Sequence, residues 1–202
     1  MTDNSAEVIL VVEDESSVRD MLIKYLKKNR YTALEAVDGS QALKIITVEK
    51  PAVILLDWNL PKLSGLDVLK QTKTVSPGSN IIMVTALSDM ENIIEAMKLG
   101  AYEYLTKPVD LEEMESAIDK ALQARRFAGE FESIPANDSA ERLKPTNIIG
   151  KSRKILDVFK LIGRVANKRT TVLLRGESGT GKELVAKAIH FKGIFRDKPF
   201  VA

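Results

Sequence analysis

Four stretches of this 202-residue chain carry residues able to do chemistry, each just past an apolar run. Glu13 and Asp14 follow Val8–Val12, Asp57 follows Val53–Leu56, Thr85 follows Ile81–Val84, and Lys107 lies beyond Tyr102–Leu105. Three carboxylates gathered at one place repel one another and raise each other's pKa unless a cation sits among them. A hard divalent cation with oxygen ligands, best Mg²⁺ with several waters retained, resolves that conflict. Lys107 adds a fixed positive charge for an anion, and Thr85 adds a hydroxyl donor. Carboxylate nucleophile, metal, ammonium and hydroxyl together suit phosphoryl transfer to an aspartate. Taken singly, each has an ordinary reading: Glu13-Asp14 as a solvated turn or helix cap, Asp57 as a cap before Pro61, Thr85 and Lys107 as common surface residues. Their shared position at strand ends favours the chemical reading.

A fifth stretch is rich in glycine. Gly176, Glu177, Ser178, Gly179, Thr180, Gly181, Lys182 and Glu183 follow an apolar run, Thr171–Leu174, and open a helical pattern. Glycines let backbone N–H groups approach phosphates, and a lysine at a helix N-terminus reaches the same anion. The spacing G-x-x-x-x-G-K is met, but Glu183 stands where a Ser or Thr usually ligates Mg²⁺. A Gly-rich turn with a capping lysine is the plainer alternative; the strand-loop-helix context favours a phosphate loop. The sole histidine, His190, reads as structural.

Regular alternation of strands and helices must position these residues. The continuous apolar runs at Val8–Val12 and Val53–Leu56 predict strands buried on both faces, with a weaker strand at Thr32–Ala36. Ser16 is the expected N-cap of a helix that turns Val18, Met21, Leu22, Tyr25 and Leu26 inward. A second helix directs Ala42, Leu43, Ile45 and Ile46 inward, and further helices fit residues 65–74, 89–99 and 110–127. Five βα units imply a parallel sheet with helices on both faces, whose ligands bind beyond the carboxyl ends of the strands. Residues 126–146 read as a linker, with Pro135 and Pro145 among Glu, Ser, Asn and Asp. A helix is expected near 152–165, then the Thr171–Leu174 strand and the Gly-rich loop.

Composition sets the outer bounds. No cysteine is present, which removes disulfides and thiol chemistry. Residues 1–146 carry 17 Lys and Arg against 24 Asp and Glu, whereas residues 147–202 carry 13 against 4. Such a change of sign suggests two units with different ligands. Met1–Ala6 is short and polar, and no apolar run nears the ~20 residues of a membrane span. A cytoplasmic protein without membrane contact is expected.

Ile9 to Glu15, Leu55 to Pro61, Val84-Thr85-Ala86 and Tyr104 to Pro108 resemble the signature segments of response-regulator receiver domains. The resemblance covers residues 6–125 and places the receiver domain at 1–125. It implies a doubly wound sheet of order 2-1-3-4-5, as in the CheY-like fold. It implies that Asp57 takes a phosphoryl group from a histidine kinase, and that Glu13, Asp14, Asp57 and the backbone carbonyl of Asn59 hold Mg²⁺. Thr85 and Lys107 would contact the phosphoryl oxygens, Tyr104 would be the switch aromatic, and the Lys107-Pro108 peptide would be cis. Glu13 stands where Asp is commoner, a familiar alternative that keeps metal binding.

Gly176 to Glu183, continued by Leu184 to His190, resembles the AAA+ ATPase module of sigma-54-dependent transcription activators, as do Ile148-Ile149-Gly150 and Pro199 to Ala202. The match spans 147–202, about the first quarter of such a module. It implies a transcription regulator whose partners are a sensor kinase and a second receiver, with sigma-54 RNA polymerase and DNA engaged only by a full-length relative. A phosphate loop lacking its acidic partner motif and the rest of its sheet is not expected to hydrolyse ATP efficiently. The alternative is a receiver acting alone as a phosphate sink.

Overall fold

The computed structural model describes residues 7–86, 90–128 and 152–201. Most of the expected linker, and Ile148-Ile149-Gly150, lie outside them. The described residues form two compact units: 7–86 with 100–128, and 90–99 with 152–201.

Five parallel strands make the sheet of the first unit, in the order β2-β1-β3-β4-β5. They are β1 (Val8–Val12), β2 (Thr32–Ala36), β3 (Val53–Leu56), β4 (Asn80–Thr85) and β5 (Glu103–Thr106). The three inner strands are the continuous apolar runs, and β3 is buried at every residue. The edge strand β2 is largely open to solvent, which is why its sequence pattern is weaker. Each full burial of a Leu, Ile or Val contributes about 1.5–3 kcal/mol relative to exposure, so inner strands tolerate no polar residue before their ends.

Side chains alternate across the pleat and divide the core. Ile9, Val11, Val53, Leu55, Ile82 and Val84 join Leu22, Leu26, Met114, Ile118 and Leu122 in one apolar cluster. The helices α1 (Ser16–Lys28) and α5 (Leu111–Ala128) supply its outer layer. Two phenols bond to α5: Tyr25 of α1 donates to Glu115 at 2.6 Å, and Tyr31, between α1 and β2, to Asp119 at 3.0 Å. On the other face α2 (Gly39–Glu49) buries Ala42 and Ile46, and α3 (Gly65–Val75) buries Val68 and Leu69.

Two local expectations for α1 differ. The position before its first turn is Glu15, which makes no side-chain cap, not Ser16. Met21 is 41% exposed; Leu22 and Ile23 already fill the buried stripe, leaving Met21 at its rim.

The second unit is helical: α4 (Met90–Lys98), α6 (Arg153–Ala166) and α7 (Lys182–Phe191). Ser152 Oγ caps α6 by accepting from Ile155 N. Gly163 allows α6 to approach α4 closely, since a Cβ there would stand 2.6 Å from Met97 Cβ and 2.9 Å from Ile94 O. Lys192 pairs with Glu91 at 3.0 Å. The expected strand at Thr171–Leu174 is absent: the segment has no regular structure and Leu173 is 72% exposed. A strand exists only through hydrogen bonds to a neighbour, and no described segment of this unit offers one.

Candidate phospho-acceptor site

The sheet carries its ladder one step past the strands and so places the functional residues. Glu13 N donates to Ala36 O at 3.1 Å, Asp57 N to Val12 O at 3.0 Å, and Lys107 N to Thr85 O at 2.8 Å. Val12 stands opposite Leu56, so the ends of β1 and β3 are level, while β4 runs two residues past Met83, the partner of Leu56. Glu13, Asp14 and Asp57 consequently offer carboxylate oxygens within 4.8 Å of one another. Glu13 and Asp57 are buried, and Asp14 is exposed.

Lys107 Nζ contacts Asp57 Oδ2 at 2.6 Å and Glu13 at 2.7 and 2.9 Å, one to each oxygen. Burial, opposed by Lys107 and reinforced by the Asp57 charge, raises the Glu13 pKa. Burial works against the Lys107 charge, but its hydrogen bonds to Asp57 and Glu13 win and raise its pKa. One ammonium against three carboxylates leaves a surplus of negative charge, and oxygen donors this close suit a hard divalent cation.

Of the other expected residues, Thr85 is fully buried at the end of β4 and Tyr104 is 2% exposed within β5. Asn59 N lies 3.3 Å from Asp57 Oδ1. The Lys107-Pro108 peptide is cis. Close packing explains Gly65: a Cβ there would collide with Asp57 O and lie 2.9 Å from Trp58 Cα.

Two supporting residues escape the sequence reading. Arg19 in α1 donates through Nη1 to the carbonyls of Glu13 at 2.9 Å and Asp14 at 3.2 Å, and pairs with Glu35 at 3.3 Å. Lys62, in the loop after β3, reaches Asp38 at 2.6 Å. An arginine one turn into α1 is the only sequence hint of the first; the second joins residues 24 apart and leaves no pattern.

The Gly-rich segment, in the second unit, leads into α7. Gly179 and Gly181 both adopt φ 81°, open to glycine and unfavourable to other residues. Lys182 Nζ folds onto the carbonyls of Gly176 at 3.0 Å and Glu177 at 2.5 Å, and Thr180 Oγ1 donates to Glu177 O at 2.8 Å. Ser178 is exposed. Glu183 pairs with Lys187 at 2.8 Å, which lowers the pKa of its carboxyl. His190 Nε2 meets Lys198 O at 2.8 Å, the structural role expected of it. No described helix is long and apolar enough to cross a membrane.

Comparison with known proteins agrees with both segments. Residues 9–119 match the response regulator receiver domain and residues 148–202 the sigma-54 interaction domain. The DNA-binding transcriptional regulator NtrC of Escherichia coli K12 is 34% identical over 195 residues, covering 96% of this chain and 40% of that protein. ZraR of the same organism is 35% identical over 193 residues, covering 96% and 42%. The chain therefore spans about 40% of the length of these relatives. A receiver domain protein from Clostridium thermocellum has a TM-score of 0.58 at 34% identity, covering 60% of this chain and 98% of that one. NtrX of Brucella abortus, solved with ATP, has a TM-score of 0.59 at 30% identity, covering 97% and 42%. With the 2-1-3-4-5 sheet and its acidic edge, these matches make the chain a member of the response regulator receiver family, carrying part of a sigma-54 interaction domain in the manner of NtrC-type regulators.

Proposed function

We propose that Asp57 accepts a phosphoryl group from the phosphohistidine of a sensor histidine kinase, with Mg²⁺ held by Glu13, Asp14, Asp57 and the Asn59 carbonyl. The observation that carries this reading is the meeting of three carboxylates and one ammonium at the carboxyl edge of the sheet. When bound, the cation neutralises charge developing on the transferred group. Asp57 supplies the attacking oxygen: an O–P bond forms as the donor's P–N bond breaks, and the imidazole nitrogen keeps the electron pair. Lys107 offers its ammonium to a phosphoryl oxygen, and Thr85 its hydroxyl. Phosphorylation then biases the last strand–helix region, around the buried Tyr104 and residues 110–127, toward dimerisation or docking.

In this reading residues 1–125 are the receiver, 126–146 the linker and 147–202 the AAA+ segment. In the same reading the phosphate loop at 176–183 is at most a weak ATP site; the NtrX relative was solved with ATP. Binding of an ATP analogue that disappears in Lys182→Ala tests it.

The decisive experiment is intact mass after incubation with Mg²⁺ and a small-molecule phosphodonor. The parent gains one phosphoryl group, dependent on metal, and Asp57→Asn gains none. A folded parent that gains nothing overturns the reading.

A further inference from the structure

The loop joining β3 to α3 is closed at its base by backbone bonds: Gly65 N donates to Trp58 O at 2.9 Å and Leu63 N to Pro61 O at 2.8 Å. Inside it, Asn59 N faces Asp57 Oδ1 at 3.3 Å. Toward its far end lies Lys62, whose backbone sits in the left-handed region at φ 67°. Glycine adopts that conformation freely and lysine does not, and strained residues of this kind cluster at functional sites.

The Lys62 ammonium reaches Asp38 Oδ2 at 2.6 Å, in the turn that follows β2. The Asp38 side chain is only 7% exposed, and its other oxygen accepts from Gln41 N at 2.8 Å. Both carboxylate oxygens are therefore committed. Next to it, Gly39 packs so tightly that a Cβ would collide with Leu63 O and lie 2.9 Å from both Leu63 Cβ and Val68 Cγ2. The turn after β2 thus grips the loop after β3 twice, by packing at Leu63 and by charge at Lys62. Lys62 is 68% exposed at its side chain, so an ordinary contribution to stability is a poor account of the pair.

We propose that Asp38 and Lys62 form a latch that holds the β3–α3 loop so that the Asn59 backbone stays at the Asp57 carboxylate, which makes Lys62 a positioning residue for cation binding there. The latch rests on the reading of Glu13, Asp14 and Asp57 as a divalent-cation site. Loss of a residue that orients metal ligands without touching the metal typically costs about 10–100-fold in metal affinity or activity.

The test titrates Mg²⁺ into the full chain and follows the emission of Trp58, the single tryptophan. In parallel, the rate of phosphoryl gain from a small donor is followed against Mg²⁺ concentration. Lys62→Met and Lys62→Gly raise the half-saturating Mg²⁺ about tenfold. The rate at saturating Mg²⁺ stays within roughly twofold, as expected when positioning for the cation and not the chemical step is lost. Lys62→Gly relieves the strained φ, so loss of folding does not mimic the effect. Lys62→Arg keeps the charge and restores near-parent affinity. In an Asp38→Asn background, which keeps the capping oxygen, Lys62→Met adds no further loss, because its partner is already gone. Parent-like Mg²⁺ affinity in both Lys62→Met and Lys62→Gly overturns the latch, as does equal loss in Lys62→Arg. A parent that neither binds Mg²⁺ nor gains a phosphoryl group overturns the site reading itself and the latch with it, and no variant is needed to see that.

Discussion

Lys107 Nζ lies 2.6 Å from Asp57 Oδ2, although Lys107 follows an edge strand and Asp57 ends the central one. The lysine reaches across the end of β4 and also engages Glu13 at the end of β1. One ammonium therefore serves two buried carboxylates, at 7% and 2% side-chain exposure, while being 20% exposed itself. The arrangement fixes one Asp57 oxygen without neutralising the whole cluster.

Removing that ammonium leaves two buried carboxylates facing each other. Lys107→Met is expected to lower unfolding free energy by about 2 kcal/mol, below the usual loss for a fully buried pair because solvent reaches the lysine. Mg²⁺ should restore more stability in the variant than in the parent. Urea unfolding with and without Mg²⁺ measures both effects.

Glycine at position 65 is required by contact, not by dihedral angle. Gly65→Ala sets its Cβ against the Asp57 carbonyl and beside Trp58 Cα, both backbone atoms unable to move independently of Asp57. A loss of about 3 kcal/mol is expected, at the upper end for overpacking. Denaturant midpoints read it, and phosphoryl uptake should fall in the molecules that stay folded.

Gly163→Ala sets two effects against each other. Alanine favours an isolated helix by about 1 kcal/mol. Its Cβ would meet Met97 Cβ at 2.6 Å and Ile94 O at 2.9 Å, and overpacking costs about 1–3 kcal/mol. Packing should win. Amide exchange across Arg153–Ala166 should quicken despite the higher helix propensity; slower exchange would mean that α4 yields easily.

Alkaline pH tests the α1–α5 tie. The hydrogen bond to Glu115, with help from burial, pushes the Tyr25 phenol up to about 12. Because its folded-state pKa is raised, the tie contributes fully below pH 10 and is lost as pH rises through about 12. Parent stability should fall more steeply across that window than that of Tyr25→Phe, as followed by urea midpoints at stepped pH.

Much of this was legible in the sequence, for a physical reason. A strand covered on both faces must be apolar throughout, so Val8–Val12 and Val53–Leu56 identify themselves and their first polar successors, Glu13 and Asp57, become visible as site residues. The Thr171–Leu174 run was equally apolar and formed no strand, because apolarity does not provide a hydrogen-bonding neighbour. Arg19 and Lys62 were invisible for the opposite reason. Their partners, Glu35 and Asp38, are 16 and 24 residues away, and only the fold brings those segments together.

The Gly-rich loop has a consequence of another kind. Its own lysine already occupies the loop, with Lys182 Nζ on the carbonyls of Gly176 and Glu177. Any anion entering competes first with the protein itself. Its apparent affinity is the intrinsic affinity scaled by the fraction of time the ammonium is away from those carbonyls. Half-saturation by such an anion would move to higher concentration, by a factor set by how firmly the loop binds its own side chain.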